Sequence, residues 1–366
     1  MSGSGEPGAR VDAAALRRFT SAVLRTYDVP VEHADLTAEV LVAADACGID
    51  SHGVSRLGLY TLKLERGLVN PRPRPRIVRE TATTCVVDGD NGLGPVAAVL
   101  AMDWCIERAR DVAVACASVG HGNHYGIAGW YARRALPHAM IGLSLTNATS
   151  LVAPTFGRRP LLGTNPIAVA VPAGRERPFV LDMATSAVSA GKLQLAMAAG
   201  EPIPEGWAVD AEGRGTTDPL AGFGGALLPL GSTRELGSHK GYGLAVVVDV
   251  LSALLSGAAF GPHCLSLTSE LDQVANVGHF FAAVRVDAFR PFEEFTAAMD
   301  DMIRGLREAP PAPGHDRVVV AGEPELDEED RRGREGIPLD AGTVESLRGL
   351  AVERRCEDEL GALLGR

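Results

Sequence analysis

Asn91-Gly92-Leu93-Gly94-Pro95-Val96-Ala97 decides how the fold is read. It follows a β-branched run, Thr84 to Asp88, and opens a run of helical character, Pro95 to Arg110. In form it satisfies G-x-G-x-x-A, the turn with which a Rossmann domain receives a pyrophosphate. Two features set that reading aside. Pro95 stands inside the turn, and no later strand ends in an acid at the distance needed to meet a ribose hydroxyl. The stretch reads as a plain tight turn, and a Rossmann domain is not expected here.

Strands and helices alternate irregularly on either side of this turn. Strand patterns recur at Val112 to Ser118, Ile141 to Leu145, Pro166 to Val171, Phe179 to Met183 and His279 to Val286. Helical patterns fall at Gly126 to Leu136, Ser186 to Ala199, Lys240 to Ser256 and Pro291 to Arg307. Such an order predicts a mixed α/β (α+β) fold, a non-Rossmann mixed sheet flanked by helices. Upstream, Ala15, Phe19 and Val23, then Leu36, Val40 and Ala43, keep helical spacing on either side of Pro30. The Pro/Arg alternation ending at Arg76 is an extended connector, since proline disfavours helix at its own and the preceding position. Downstream, the Pro-rich linker Ala309 to His315 precedes a short strand, the acidic run Glu325 to Asp330 reads as a solvated loop, and Ala341 to Leu364 as a last helix.

A chain of 366 residues, 46% hydrophobic, exceeds what one core usually encloses and leaves room for a cleft between domains. Its net charge of -11 repels phosphate backbones and anionic headgroups, so nucleic acid and membrane are not expected partners. The leader Met1 to Arg10 is Gly/Ser-rich rather than basic and apolar, which predicts a cytoplasmic protein. The six cysteines have no C-x-x-C pair and read as buried thiols.

Three clusters carry chemistry. In Asp50-Ser51-His52-Gly53-Val54-Ser55-Arg56 a hydroxyl, an imidazole and a guanidinium fall within two helical turns. Carbonyl reduction needs a proton donor at oxygen and a cation for a neighbouring carboxylate, and these residue types supply both. The bland alternative is a serine cap beside a surface His and Arg. In His121-Gly122-Asn123-His124-Tyr125-Gly126 a glycine-flanked turn lies between strand and helix. No third ligand of suitable spacing accompanies its two histidines, so no metal is expected. Gly163-Thr164-Asn165-Pro166, Asp182-Met183-Ala184-Thr185-Ser186, Gly191-Lys192 and Ser238-His239-Lys240-Gly241 place small or polar residues at element ends, where α/β proteins meet ligands. Lys240 reads equally well as a surface lysine.

In order along the chain, D-S-H-G-V-S-R-L-G-L-Y (50 to 60), N-H-Y-G-I-A-G-W-Y (123 to 131), L-L-G-T-N-P-I-A (161 to 168), L-D-M-A-T-S (181 to 186), H-K-G-Y-G-L-A (239 to 245), N-V-G-H-F-F (276 to 281) and R-E-G-I-P-L-D (334 to 340) resemble the type 2 malate/L-lactate dehydrogenase family. That family includes sulfolactate and ureidoglycolate dehydrogenases and piperideine-2-carboxylate reductases. The resemblance implies NAD or NADP as cofactor, a homodimer with the active site between domains, and metal-free hydride transfer at C2 of a small 2-oxo or 2-hydroxy carboxylate. Beyond the Gly/Ser-rich segment 1–10, expected to be a disordered leader, it implies a helical segment at 11–75 carrying the Ser-His-Gly cluster, a nicotinamide-binding sheet domain at 76–290 and a helical segment at 291–366 that packs with the N-terminal part.

By the same resemblance Ser51 and His52 form a proton relay, Arg56 holds the substrate carboxylate, and His124 competes with His52 as proton donor. His52 ranks ahead for imines and His124 for hydroxy acids. Cofactor contacts are expected from His124, Tyr125, Gly126, Ile127 and Ala128, from Thr146, Asp182, Met183 and Ala184, and from His239, Lys240, Gly322 and Glu323. Lys192 is expected at the substrate, where relatives acting on imines can carry an acid, which favours oxo acids over a cyclic imine here. A catalytically silent scaffold is the rival of another class, and the intact Ser51-His52-Arg56 set counts against it. The chain departs from the family at Gly122, Tyr125 and Ala148, where many relatives have Ser, Phe and Ser.

Overall fold

The computed structural model describes residues 8–265 and 272–365. Its centre is a seven-stranded sheet in the order Arg76–Glu80, Thr84–Asp88, Val114–Gly122, Val277–Arg285, Met140–Thr146, Ile167–Val171, Phe179–Met183. Only Thr84–Asp88 and Val114–Gly122 run parallel, joined by the helix Gly94–Val112; the other neighbours are antiparallel. The sheet is therefore mixed, and its middle strand arrives from more than 130 residues beyond its neighbour Met140–Thr146. Alternate residues such as Cys85, Val87, Ala115 and Ala117 face the helices Gly94–Val112 and Ala128–Arg133, forming one core with Met102, Ile106 and Phe281. The helix Ser238–Asp249, continued by a wide turn at Val250–Leu254, covers the opposite face, where Ser118 Oγ donates to the Leu251 carbonyl at 3.1 Å.

A second core joins the two ends of the chain. Helices Ala13–Arg25 and Val31–Ala46 bury Leu16, Phe19, Leu24 and Leu41 against Val344, Leu347 and Leu350 of Ala341–Arg354. Asp12 and Asp340 cap helix starts by accepting from the Ala15 and Thr343 amides, each at 2.8 Å. A third, smaller unit stacks the helices Ala190–Ala199 and Pro219–Gly224 on the short strands Ala208–Val209, Gly215–Thr216 and Ala226–Leu227.

Several expectations need correction. Residues 1–7 lie outside the described residues, but Ala9 and Arg10, assigned to the leader, belong to a strand, Ala9–Val11, paired with Ile337–Leu339. The acidic run Glu325 to Asp330 is not a loop but part of the helix Glu323–Glu335. Pro324 at its start, acids in its first turn and arginines in its last favour that helix, and Glu328 pairs at 2.8 Å with both Arg331 and Arg332. The last helix breaks at Arg355, whose φ is +57°. The helix expected from Gly126 starts only at Ala128, because Gly126 takes a φ of +85°. No strand forms at 316–320; Ala321 merely accepts from the Val180 amide at 3.2 Å. Finally, helix Phe292–Arg307 packs Met299 and Ile303 near Val171 and Phe179 at the sheet edge, so the return to the N-terminal helices begins after residue 291, near Glu323.

Candidate active site

Two short turns, Asp50–His52 and Val54–Arg56, carry the first cluster into the helix Leu57–Glu65. They are held from below by Asp45, whose carboxylate accepts from the Val54 amide at 2.8 Å. Gly53 lies so close above it that a Cβ there would stand 1.8 Å from Asp45 Oδ1. Arg332, 8% exposed, clasps the same loop by donating to the Asp45 carbonyl at 2.6 Å and to the Asp50 carboxylate.

Burial raises the Asp45 carboxyl to about 7, although the Val54 amide opposes the shift. An acid whose folded value is raised is favoured in its protonated form, so its stability is intact at acid pH and is lost as pH climbs from about 4 through 7. Asp45→Asn keeps an acceptor for Val54 and removes that ionisation. We expect it to match the parent near pH 4 and to exceed it at pH 8 by up to about 4 kcal/mol. Denaturant midpoints measured across this range check it, and a variant less stable at pH 8 refutes it.

Above this support, Ser51 Oγ lies 2.9 Å from His52 Nδ1. Arg56 Nε donates to the Ser51 carbonyl at 2.7 Å, and its two terminal nitrogens have no partner among the described residues. His124 comes from the turn after Val114–Gly122, and its ring stacks on that of His52 with centroids 5.5 Å apart and planes at 28°. The Tyr60 hydroxyl, within the buried part of the helix, lies 2.7 Å from His124 Nδ1 and 3.2 Å from the His124 carbonyl. Both imidazoles are held neutral: burial, then Arg56, lowers His52 to about 4, and burial, then His52 and Arg56, takes His124 well below its usual value.

The G-x-G-x-x-A turn positions this pair. Asn123 Nδ2 is placed to donate to Asn91 Oδ1 at 3.0 Å and to the Gly92 carbonyl at 2.9 Å. A Cβ on Gly94 would stand 2.3 to 2.4 Å from the carbonyls of Asn123 and His124. Gly94 thus lets a helix start press against the His124 turn.

His52, His124, Gly126, Thr146 and Val277 border a cavity of about 60 Å³. Thr146 Oγ1 lies 2.7 Å from Nδ1 of His279, a fully buried imidazole that burial lowers to about 3. Just beyond that turn, Ile127 and Gly129 of the following helix start border a second cavity of about 330 Å³ with Ile49, Leu181, Asp182 and Gly322. Asp182 lines that cavity and is exposed there, and desolvation by the groups packed around its carboxyl raises it to about 6. Asp182 Oδ2 accepts from the Gly129 amide at 2.6 Å, whereas Oδ1 has no partner among the described residues.

The structure therefore brings together Ser51, His52, Arg56 and His124, with Tyr125, Gly126 and Thr146 at one cavity and Ile127, Asp182 and Gly322 at the other. Ala128, Met183 and Ala184 flank these positions in the chain. Others stand apart. Glu323 spends its carboxylate on Arg307 at 2.8 Å and on the Val320 amide at 3.0 Å, so that side chain is an anchor rather than a cofactor contact. Lys192 lies over the Trp207 ring at 5.7 Å, and His239 and Lys240 are exposed at the start of Ser238–Asp249. Tyr125, although it borders the smaller cavity, has its ring stacked between His279 and Tyr131 and its hydroxyl 3.0 Å from Ser144 Oγ. Sequence reasoning missed Asp45, Tyr60 and Arg332; only Tyr60 left a signal, one helical turn beyond Arg56.

A sequence model of the malate/L-lactate dehydrogenase family matches residues 11–348. The chain belongs to that family. A relative described as malate dehydrogenase, from Pyrococcus abyssi, is 42% identical over 344 residues, covering 93% of this chain and 94% of that protein. An L-sulfolactate dehydrogenase from Methanocaldococcus jannaschii is 37% identical over 331 residues, 90% of this chain and 93% of the relative. The solved malate dehydrogenase of Pyrococcus horikoshii superposes with a TM-score of 0.87 at 38% identity over 97% of this chain and 98% of that one. As a member of the malate/L-lactate dehydrogenase family, the chain is an oxidoreductase, and the mixed sheet flanked by helices is that of its structural neighbours.

Proposed function

We propose that this protein moves a hydride between a bound nicotinamide dinucleotide and C2 of a small 2-oxo or 2-hydroxy carboxylate of the malate, lactate or sulfolactate kind. One observation carries the reading: two stacked neutral imidazoles face one cavity beside an arginine whose fork is free. Arg56 grips the carboxylate with the two nitrogens left open, since tethering at Nε fixes the plane of the guanidinium. His124 gives a proton to the C2 oxygen in reduction and takes it back in oxidation, with Tyr60 holding Nδ1 so that Nε2 serves the reactant. His52, oriented by Ser51, forms the wall opposite His124 and excludes water from it.

The dinucleotide fits what is present. The larger cavity is of nucleoside size, it shares the His124–Ala128 turn with the smaller one, and Asp182 offers an oxygen without a partner. Ile127, Asp182 and Gly322 would hold the cofactor there, with Gly126 and Thr146 at the smaller cavity, and its nicotinamide supplies or accepts the hydride. A homodimer accounts for the exposed apolar residues Leu244, Val247, Leu254, Leu255 and Phe260, and would give the exposed Lys192, His239 and Lys240 a partner's site to reach.

The purified chain, sedimenting as a dimer, should deplete reduced dinucleotide with at least one of oxaloacetate, pyruvate and sulfopyruvate. Reaction only with cyclic 2-imino acids would transfer the assignment to imine reduction, and tight cofactor binding without turnover of either class would mark a silent scaffold.

A further inference from the structure

The cavity of about 330 Å³ has a walled, lopsided character. Its sides are apolar, from Ile49, Trp130, Val180, Leu181 and Leu326, as suits a flat aromatic base. Its charged groups are Asp182, Glu325 and Arg133. The cation is already engaged: Arg133 Nη2 lies 3.0 Å from the Glu329 carboxylate. The anions are not. Asp182 uses one oxygen on the Gly129 amide, and Glu325 has no hydrogen bond or ion pair among the described residues. Glu325 is set at this rim by the chain's return to the sheet, where the Val180 amide donates to the Ala321 carbonyl and Gly322, with a φ of +91°, starts the helix Glu323–Glu335.

A ribose diol consists of two donors that a pair of carboxylates satisfies, whereas a 2′-phosphate brings two further negative charges and no donor. An acceptor-lined rim whose one cation among the described residues is neutralised therefore discriminates between the two dinucleotides. We propose that this cavity takes the adenosine half of the cofactor with its ribose hydroxyls on Asp182 and Glu325, which makes the protein selective for NAD(H) over NADP(H). The inference rests on the dinucleotide reading given above and adds which of the two cofactors the chain accepts.

Titration of the full-length protein with NADH and with NADPH, followed by the fluorescence of the bound dihydropyridine and by calorimetry, tests it without any substrate. NADH should bind at least about 30-fold more tightly, the value of one or two charged hydrogen bonds lost together with added repulsion. Glu325→Gln should narrow that ratio chiefly by strengthening NADPH, and Glu325→Arg should bring it close to unity. Glu325 is partly exposed on the first turn of a helix, so both variants are expected to fold. Equal or tighter binding of NADPH by the parent overturns the inference. So does an NADH preference that neither Glu325 variant changes, because the selection would then lie elsewhere. Failure of both dinucleotides to bind is a different result: it removes the underlying functional reading as well.

Discussion

Arg56→Lys is expected to lower kcat/KM for a 2-oxo acid by about 10²- to 10³-fold while leaving the affinity for reduced dinucleotide unchanged. The basis is geometric. Arg56 spends Nε on the Ser51 carbonyl at 2.7 Å, which turns its two terminal nitrogens into a fixed fork. Lysine retains the charge but presents a single ammonium on a flexible stem, so it cannot hold that carbonyl and also grip a carboxylate at two points. Misplacing C2 by even an ångström is costly to a reaction that depends on near-attack geometry. The loss should therefore appear in both kcat and KM. Steady-state kinetics beside direct cofactor titration will separate the effects; a change confined to cofactor affinity would place Arg56 at the wrong ligand.

The second large effect concerns the proton. His124→Ala should reduce kcat by roughly 10³-fold in both directions, within the range for loss of a positioned acid or base. Tyr60→Phe, which keeps the ring and removes the hydroxyl 2.7 Å from Nδ1, should cost about tenfold and shift the pH profile. The direction of pH dependence follows from the lowered proton affinity of His124, caused by burial, His52 and Arg56. Near neutrality the free protein carries a neutral imidazole, ready to accept a proton. Oxidation of the hydroxy acid should therefore be insensitive to pH from about 7 to 9, whereas kcat/KM for reduction should fall about tenfold per unit over that interval. If His52→Ala is the more damaging of the two histidine variants, or if reduction is flat with pH, the proton belongs to another group.

What these experiments address was unevenly legible in the sequence. Ser51, His52 and Arg56 could be grouped because they lie within six residues, and local geometry alone brings Oγ and Nδ1 to 2.9 Å. Strand positions such as Phe179–Met183 were readable from apolar patterning. The run of like charge at 325–330 misled in the opposite sense, since Arg331 pairs with Glu328 and Glu335 one turn to either side and stabilises a helix that composition alone suggests is a loop. The likeness to a dinucleotide fingerprint at 91–97 had a cause that no local rule supplies: Gly94 accommodates the backbone of Asn123 and His124, and Gly92 the Pro73 ring.

By itself, then, the sequence determined most strands of the main sheet, the longer helices and the residue types fit for carbonyl reduction, because these depend on interactions between near neighbours in the chain. Tertiary structure alone decided that His124 meets His52 and Tyr60, that Arg332 clasps the Asp50 loop, and that Asp182 and Glu325 share one cavity. Each of those contacts spans a long stretch of chain. They follow from the order of strands in a sheet whose middle member, Val277–Arg285, is drawn in from far along the chain by burial of its apolar face.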